Sequence, residues 1–250
     1  MVVLGSSGSG PSPGNPASGY LLEHREPDRA TNVWLEAGTG TFMALAGHID
    51  PADIDAVVVS HMHPDHSIDL FGLAQYLAHR LKVEVPTRVL LPEGGPARLA
   101  AYFEGSGAST LGSLDLDEVT PGDHRTVGGF TLRFAATTHP VPTLAVRAEV
   151  DGKSLAFSAD TGPGGGFPAL ADGADVVVCE AGLGGARGPG DYPYHLDATE
   201  AARLADAAGA GRLVLTHLAP TLTAEQAMKA AVAVFSGPVD VARPGMRIVV

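Results

Sequence analysis

Three histidines and an aspartate stand together at the end of one run, Val57-Val58-Val59-Ser60-His61-Met62-His63-Pro64-Asp65-His66. Three consecutive valines read as a buried strand, and the ligand-type side chains begin where it stops. In an extended turn His61 and His63, at i and i+2, point the same way and can share one cation. Asp65 and His66 lie beyond the turn, where they can hold another. Pro64 stiffens that turn and cannot continue a helix. Burying three imidazoles and a carboxylate without a cation would leave several groups desolvated and unpaired, at about 1–3 kcal/mol each.

Three further residues repeat the context, in Phe134-Ala135-Ala136-Thr137-Thr138-His139, Leu155-Ala156-Phe157-Ser158-Ala159-Asp160 and Leu213-Val214-Leu215-Thr216-His217. Each is a strand ending in a ligand-type residue. Open α/β sheets collect their sites at such strand ends, so His61, His63, Asp65, His66, His139, Asp160 and His217 can converge across the chain. Nitrogen and oxygen donors without sulfur favour Zn2+, with Mn2+ or Fe2+ as alternatives. His24, His48, His79 and His124 lack this context and are expected at the surface.

The elements that must position these residues read as alternating strands and helices. Strands are predicted at Thr31–Leu35, Ala56–Ser60, Arg88–Leu91, Phe130–Ala135, Leu144–Val150, Ser154–Ser158, Asp175–Cys179 and Arg212–Thr216, with apolar runs at Met1–Leu4 and Tyr20–Leu22. Helices are predicted over Ser67–Arg80, Ala198–Ala208 and Thr223–Phe235. The mixed pattern predicts two sheets covered by helices, a layered α/β sandwich. No repeat or long linker divides the chain, so residues 1–250 read as a single domain.

Together, His61-x-His63-x-Asp65-His66, His139, Asp160 and His217 resemble the metal signature of the metallo-β-lactamase fold hydrolases, and the match extends from Val3 to the C-terminus. The resemblance implies a four-layer αββα sandwich holding two divalent metal ions. One would sit on His61, His63 and His139, a second on Asp65, His66 and His217, with Asp160 bridging both. Asp65 stands where the di-iron oxygen-reducing branch has a glutamate, which disfavours redox chemistry. The implied reaction is metal-assisted hydrolysis, in which Asp65 accepts a proton as the nucleophile forms.

Two local features resemble ribonuclease Z and its relatives. The opening Val3-Leu4-Gly5-Ser6-Ser7-Gly8-Ser9-Gly10, followed by Asn15-Pro16-Ala17-Ser18-Gly19, suggests a glycine loop whose N–H groups face a substrate phosphate, with Ser7, Gly8 and Ser18 as candidate contacts; a tight hairpin connection is the alternative. His195-Leu196-Asp197-Ala198-Thr199-Glu200 resembles the segment that carries an extra histidine near the metals, which implies that His195 assists the leaving group. Alternatively, Asp197 is only an N-cap and His195 a loop residue. Ribonuclease Z carries a long transfer RNA-gripping arm between the residues equivalent to His139 and Asp160. Here that interval holds only two strands joined at Asp151-Gly152, a plain hairpin. The arm-less relatives with this combination resemble bacterial cyclic-nucleotide phosphodiesterases.

Composition sets the remaining bounds. With 45% hydrophobic and 18% charged residues the chain has ample surface to bury, which excludes disorder. A single cysteine, Cys179, excludes an internal disulfide and a Cys-based zinc site and fits a reducing, cytoplasmic compartment. A net charge of −12 disfavours a large nucleic-acid footprint, and no apolar run approaches a membrane span. The expectation is a small-phosphodiester hydrolase, a homodimer by resemblance. A transfer RNA 3′-processing endonuclease is the main alternative, a lactonase or thioester hydrolase stands further behind, and a metal-stabilised scaffold lies outside catalysis. Glu180 is expected to orient a histidine, and the glycine-rich stretches Gly162–Gly166 and Gly182–Gly190 to form mobile loops, the second as part of a substrate lid.

Overall fold

The computed structural model describes residues 1–104 and 107–250. Its first sheet comprises β1 (Val2–Gly5), β2 (Gly19–Arg25), β3 (Ala30–Leu35), β4 (Ala56–Val58), β5 (Thr87–Leu91) and β6 (Leu114–Glu118), in that spatial order. The second comprises β7 (His124–Val127), β8 (Phe130–Ala136), β9 (Leu144–Val150), β10 (Lys153–Phe157), β11 (Val176–Glu180), β12 (Leu213–Thr216) and β13 (Val239–Val241), again with sequence neighbours adjacent. Each sheet is antiparallel among its hairpin-linked strands and parallel elsewhere: β3 to β6 in the first, β10 to β13 in the second.

Period-two alternation divides the apolar side chains between two faces. Val58, Leu90, Leu132, Phe134, Val178 and Val214 pack between the sheets, whereas Val57, Val59 and Val89 face outward under α1 (Thr41–Ala46), α2 (Pro64–Ser67), α3 (Leu70–Gln75), α4 (Gly95–Tyr102) and α5 (Ala108–Leu111). On the far side Val177, Cys179, Leu213 and Leu215 lie under α6 (Phe167–Leu170), α7 (Ala198–Ala207) and α8 (Ala224–Val232). Strands buried on both faces explain the unbroken valine runs, and the result is the expected αββα sandwich.

The expected strands are all present, but three further ones carry little apolar signal. β6 (LDLDE) and β7 (HRTV) are edge strands with charged residues, and β13 is three residues long. The Asp151-Gly152 hairpin is present, with φ of 50° and 72° as a type I′ turn requires. Helices α7 and α8 start on capping boxes, Asp197 with Glu200 and Thr223 with Gln226.

The single helix expected over Ser67–Arg80 is instead α2, a break, α3 and a π-helical turn over Tyr76–Leu81. The break has a tertiary cause. The Asp65 carbonyl accepts from the Ser18 N–H at 3.2 Å, and the Asp69 N–H donates to the Ala37 carbonyl at 2.9 Å, so the helical bond between 69 and 65 is replaced by two loop contacts. Pro64, rather than excluding a helix, occupies the first turn of α2. Of the histidines expected at the surface, His24 is half-buried instead, 3.6 Å from Asp151 and lining a cavity of about 440 Å³ with Phe130 at one end of the sandwich.

Candidate active site

The strand ends converge. His61 Nε2 lies 3.0 Å from His63 Nδ1, which lies 3.3 Å from His139 Nε2. Beside them His66 Nε2, His217 Nε2 and Asp65 Oδ2 stand 3.3–3.5 Å apart. Asp160 lies between the two sets, with Oδ1 at 3.3 Å from His66 Nε2 and 3.4 Å from His217 Nε2, and Oδ2 at 3.9 Å from His61 Nε2. All seven sequence-predicted ligands are thus brought together. Two groups of three donor atoms, His61 with His63 and His139, and Asp65 with His66 and His217, each lie within 4.8 Å of one another.

Hydrogen bonds set the tautomers. His61 Nδ1 faces Ser60 Oγ at 2.9 Å, His66 Nδ1 faces Glu36 Oε2 at 2.9 Å, and His139 Nδ1 faces the Tyr194 carbonyl at 3.4 Å. The Glu36 carboxylate and the Tyr194 carbonyl, as acceptors, place the Nδ1 proton on His66 and His139 and turn Nε2 to the cluster, and Ser60 holds the His61 ring in the same orientation. Glu36 is fully buried and also accepts from the Ser60 N–H at 2.9 Å. Three strand-end residues, Glu36, Ala159 and His217, take φ of 65°, 53° and 49°. Left-handed backbone of this kind is costly for residues with a Cβ and clusters at functional sites.

The donor chemistry fits divalent metal. The imidazoles of His61, His63, His66, His139 and His217 crowd their ring nitrogens together in one cluster, and the buried Asp160 Oδ1 has no hydrogen-bond partner among the described residues. A cation between them resolves both problems. Burial, then the nearby His66, push His61 below the usual imidazole range, and burial lowers His139 to about 4, whereas at His66 and His217 burial is outweighed by the Asp160 carboxylate and its neighbours, which raise the imidazoles, so a cation on that side would displace protons. Neutral imidazoles are what a metal ion requires.

His195 lies alongside, a ring nitrogen within 4.8 Å of donor atoms of Asp160 and His217. Its Nδ1 faces Glu180 Oε1 at 3.0 Å, and Glu180 is anchored by the N–H groups of Thr161 and Gly182, both at 2.7 Å. Burial pushes Glu180 up, partly offset by its bond to His195; burial alone would lower His195, but Glu180 outweighs it and the imidazole is raised. Asp197 is the N-cap of α7, yet His195 still reaches the cluster.

The Ser7 N–H donates to the Pro16 carbonyl and the Ser18 N–H to the Asp65 carbonyl, so both are engaged within the protein. Gly8 lies against the backbone of His217 and Leu218, where a Cβ would sit 2.7 Å from the Leu218 carbonyl oxygen. Ser9 N–H points at His217 Nε2 from 3.4 Å. Gly38 permits a similar close approach, its missing Cβ leaving room for the Asp65 carbonyl.

The sequence reading passes over Glu36, Ser60 and Arg187. Glu36 ends β3 just as the ligands end their strands, which is a signal; Arg187 has none. Its N–H donates to Asp197 Oδ2 at 2.9 Å, Nε and Nη2 to the two carboxylate oxygens of Glu200 at 2.7 and 3.0 Å, Nη1 to the Tyr192 carbonyl at 3.2 Å and Nη2 to the His195 carbonyl. The glycine-rich stretch expected to be mobile is therefore tied to the start of α7.

The model of the β-lactamase superfamily domain matches residues 31–218, and the chain belongs to this superfamily of metal-dependent hydrolases. It is 36% identical over 247 residues to an uncharacterized protein of Mycobacterium tuberculosis, Rv1339, covering 96% of this chain and 88% of that one. The crystal structure of the metallo-β-lactamase fold protein YhfI from Bacillus subtilis, 27% identical, superposes with a TM-score of 0.85 over 98% of this chain and 96% of its own. A ribonuclease Z of Mycobacterium bovis is 28% identical over 253 residues, 86% of this chain and 90% of that enzyme.

Proposed function

We propose that the chain is a cytoplasmic, single-domain, binuclear phosphodiesterase acting on small phosphodiesters such as cyclic nucleotides. The observation that carries this reading is His195, held at Nδ1 by Glu180 with its ring beside the seven donors. An imidazole so placed suits a reaction that expels an alkoxide. Divalent ions on His61, His63 and His139, and on Asp65, His66 and His217, with Asp160 shared, would supply Lewis acidity toward the phosphoryl oxygens and make water acidic enough to react near neutral pH.

The chain's own groups do the rest. Asp65, held among His66 and His217, accepts a proton from the attacking water. His195 delivers the Nε2 proton to the leaving oxygen while Glu180 Oε1 keeps the Nδ1 proton and holds the ring in place. Glu36 and Ser60 keep His66 and His61 turned toward the cluster. The contribution of the Ser7–Ser18 loop is placement: Gly8 lets it lie against His217. Zinc suits the donors, and the resemblance supports a homodimer. The buried Cys179, the one cysteine, fits a reducing compartment.

The alternative, a ribonuclease Z-type transfer RNA endonuclease, is favoured by the 28% identity to such an enzyme. Against it stand the hairpin that fills the interval from His139 to Asp160 and the net charge of −12.

A panel of cyclic AMP, cyclic GMP, a chromogenic phosphodiester and precursor transfer RNA, on protein of measured metal content, tests the reading. Two ions per chain and turnover of the small substrates are expected; efficient transfer RNA cleavage with little small-substrate turnover would favour the alternative. His195→Ala should lower kcat by about 10²–10⁴-fold on a cyclic nucleotide and less on a nitrophenyl ester, which departs without a proton, with metal content unchanged. Loss of bound metal in that variant would make His195 a ligand instead.

A further inference from the structure

The segment Asp191-Tyr192-Pro193-Tyr194-His195 runs along the edge of the site and is held at both ends. Arg187 binds the carbonyls of Tyr192 and His195 with one guanidinium. Pro193 packs against Gly162, where any Cβ would strike its carbonyl. On this fixed backbone Tyr194 lies edge-on to His139, with ring centres 6.2 Å apart. Tyr192 packs edge-on against Tyr194 at 5.1 Å and lies 5.7 Å from His195, tilted by 39°. Yet the Tyr192 side is open: the residue is 51% exposed.

A large ring held rigidly in the open, one ring's distance from the group proposed to protonate the leaving oxygen, is a surface on which another ring can lie. Tyr194 meets Tyr192 through an edge-to-face contact, and the tilt to His195 keeps that ring from stacking flat on it. With ring centres 5.7 Å apart, Tyr192 and His195 are close enough for one small substrate to lay a ring on the first while its leaving oxygen meets the second. Stacking on an aromatic side chain tolerates any base, because every base has a π-face.

We infer that Tyr192 is a stacking platform for a planar heteroaromatic ring carried by the substrate, a nucleobase set one sugar away from the phosphoryl group. This rests on the phosphodiester reading above and narrows it to nucleotides. Tyr194 supports the platform from the side, and Arg187 fixes it relative to His195, so base and leaving oxygen are registered on one frame.

The test compares adenosine 5′-monophosphate with ribose 5-phosphate, which share sugar and phosphate and differ by the base. Their binding to the metal-loaded protein is measured by calorimetry in the parent, Tyr192→Leu and Tyr192→Trp. The parent should prefer the nucleotide by about ten-fold or more, Tyr192→Leu should lose most of that preference while binding ribose 5-phosphate as before, and Tyr192→Trp should keep it. With cyclic AMP as substrate, the loss in Tyr192→Leu should fall on KM rather than kcat. Equal binding of the two ligands by the parent, a preference that survives in Tyr192→Leu, or an equal loss for both ligands would overturn the inference. Because the binding measurement needs no turnover, a protein that discriminates through Tyr192 but hydrolyses neither cyclic nucleotides nor the chromogenic phosphodiester would retain the platform and refute the phosphodiesterase reading alone.

Discussion

At the scale of single residues, the cluster depends on groups that never touch a substrate. His66 illustrates this: Glu36 Oε2 holds its Nδ1 proton, which fixes the tautomer and leaves Nε2 for a metal. Glu36→Gln keeps size and shape but puts an amide that can donate where a pure acceptor stood, so His66 can lose that tautomer. Zinc affinity, measured by chelator competition, should fall by about 10–100-fold with little change in circular dichroism. Unchanged affinity would reduce Glu36 to an anchor for the Ser60 N–H. Asp160→Ala, which removes the carboxylate lying between the two donor sets, should cost more, lowering the zinc stoichiometry as well as the affinity if the proposed binuclear reading holds.

At the scale of elements, strands β4, β8, β10 and β12 deliver the donors, and loops decide what stands around them. Arg187 ties the glycine-rich 182–190 stretch to the start of α7 and to the 192–195 segment, through five hydrogen bonds with charge-assisted geometry to Glu200 among them. Arg187→Met should release it. Amide hydrogen exchange over residues 183–191 should quicken by about ten-fold or more, while exchange in β11 and α7 stays slow. Because the same guanidinium holds the His195 carbonyl, the proposed phosphodiesterase reading expects kcat on a cyclic nucleotide to drop with bound metal retained. Protection of the loop undiminished in the variant would mean that the capping contacts of Asp197 suffice without it.

At the scale of the whole molecule, the two sheets must be held at their edges as well as by their shared core. On one side Val3 exchanges hydrogen bonds with Gly245 and Met246. On the other, Asp117 of β6 accepts from Arg125 of β7 at 3.0 and 3.1 Å and from Arg88 of β5 at 2.6 Å, which ties the first sheet to the second. Arg125, and behind it Arg88, hold Asp117 below its usual 3.8. A carboxylate depressed in the folded state adds stability that is fully present above the unfolded value and fades as pH falls through the folded one. Asp117→Asn should therefore lower stability by about 1 kcal/mol at pH 7, about 2–4 °C in melting temperature. The difference between paired melts should begin to shrink as pH falls through 3.8 and close only below the depressed folded value; a difference that persists undiminished in acid would assign the effect to packing rather than charge.

What could be read from the chain alone was whatever repeats locally. His61 to His66, His139, Asp160 and His217 announced themselves by ending short strand-like runs, and α7 and α8 by their apolar period and their caps, because strand, turn and cap are set by neighbours within a few residues. Edge strands β6 and β7 were not legible, since an edge that must repel other chains is charged like a loop. Nor was the break after α2, because the Asp65 carbonyl and the Asp69 N–H would satisfy a helix equally well; Ser18 and Ala37 claim them only once the sheets bring residues 18 and 37 alongside. The same holds for Glu36 on His66, Glu180 on His195 and Arg187 on Glu200. Each is a hydrogen bond whose donor has many acceptors in the unfolded chain, and only the packed sandwich, by excluding water and fixing the distances, leaves it one.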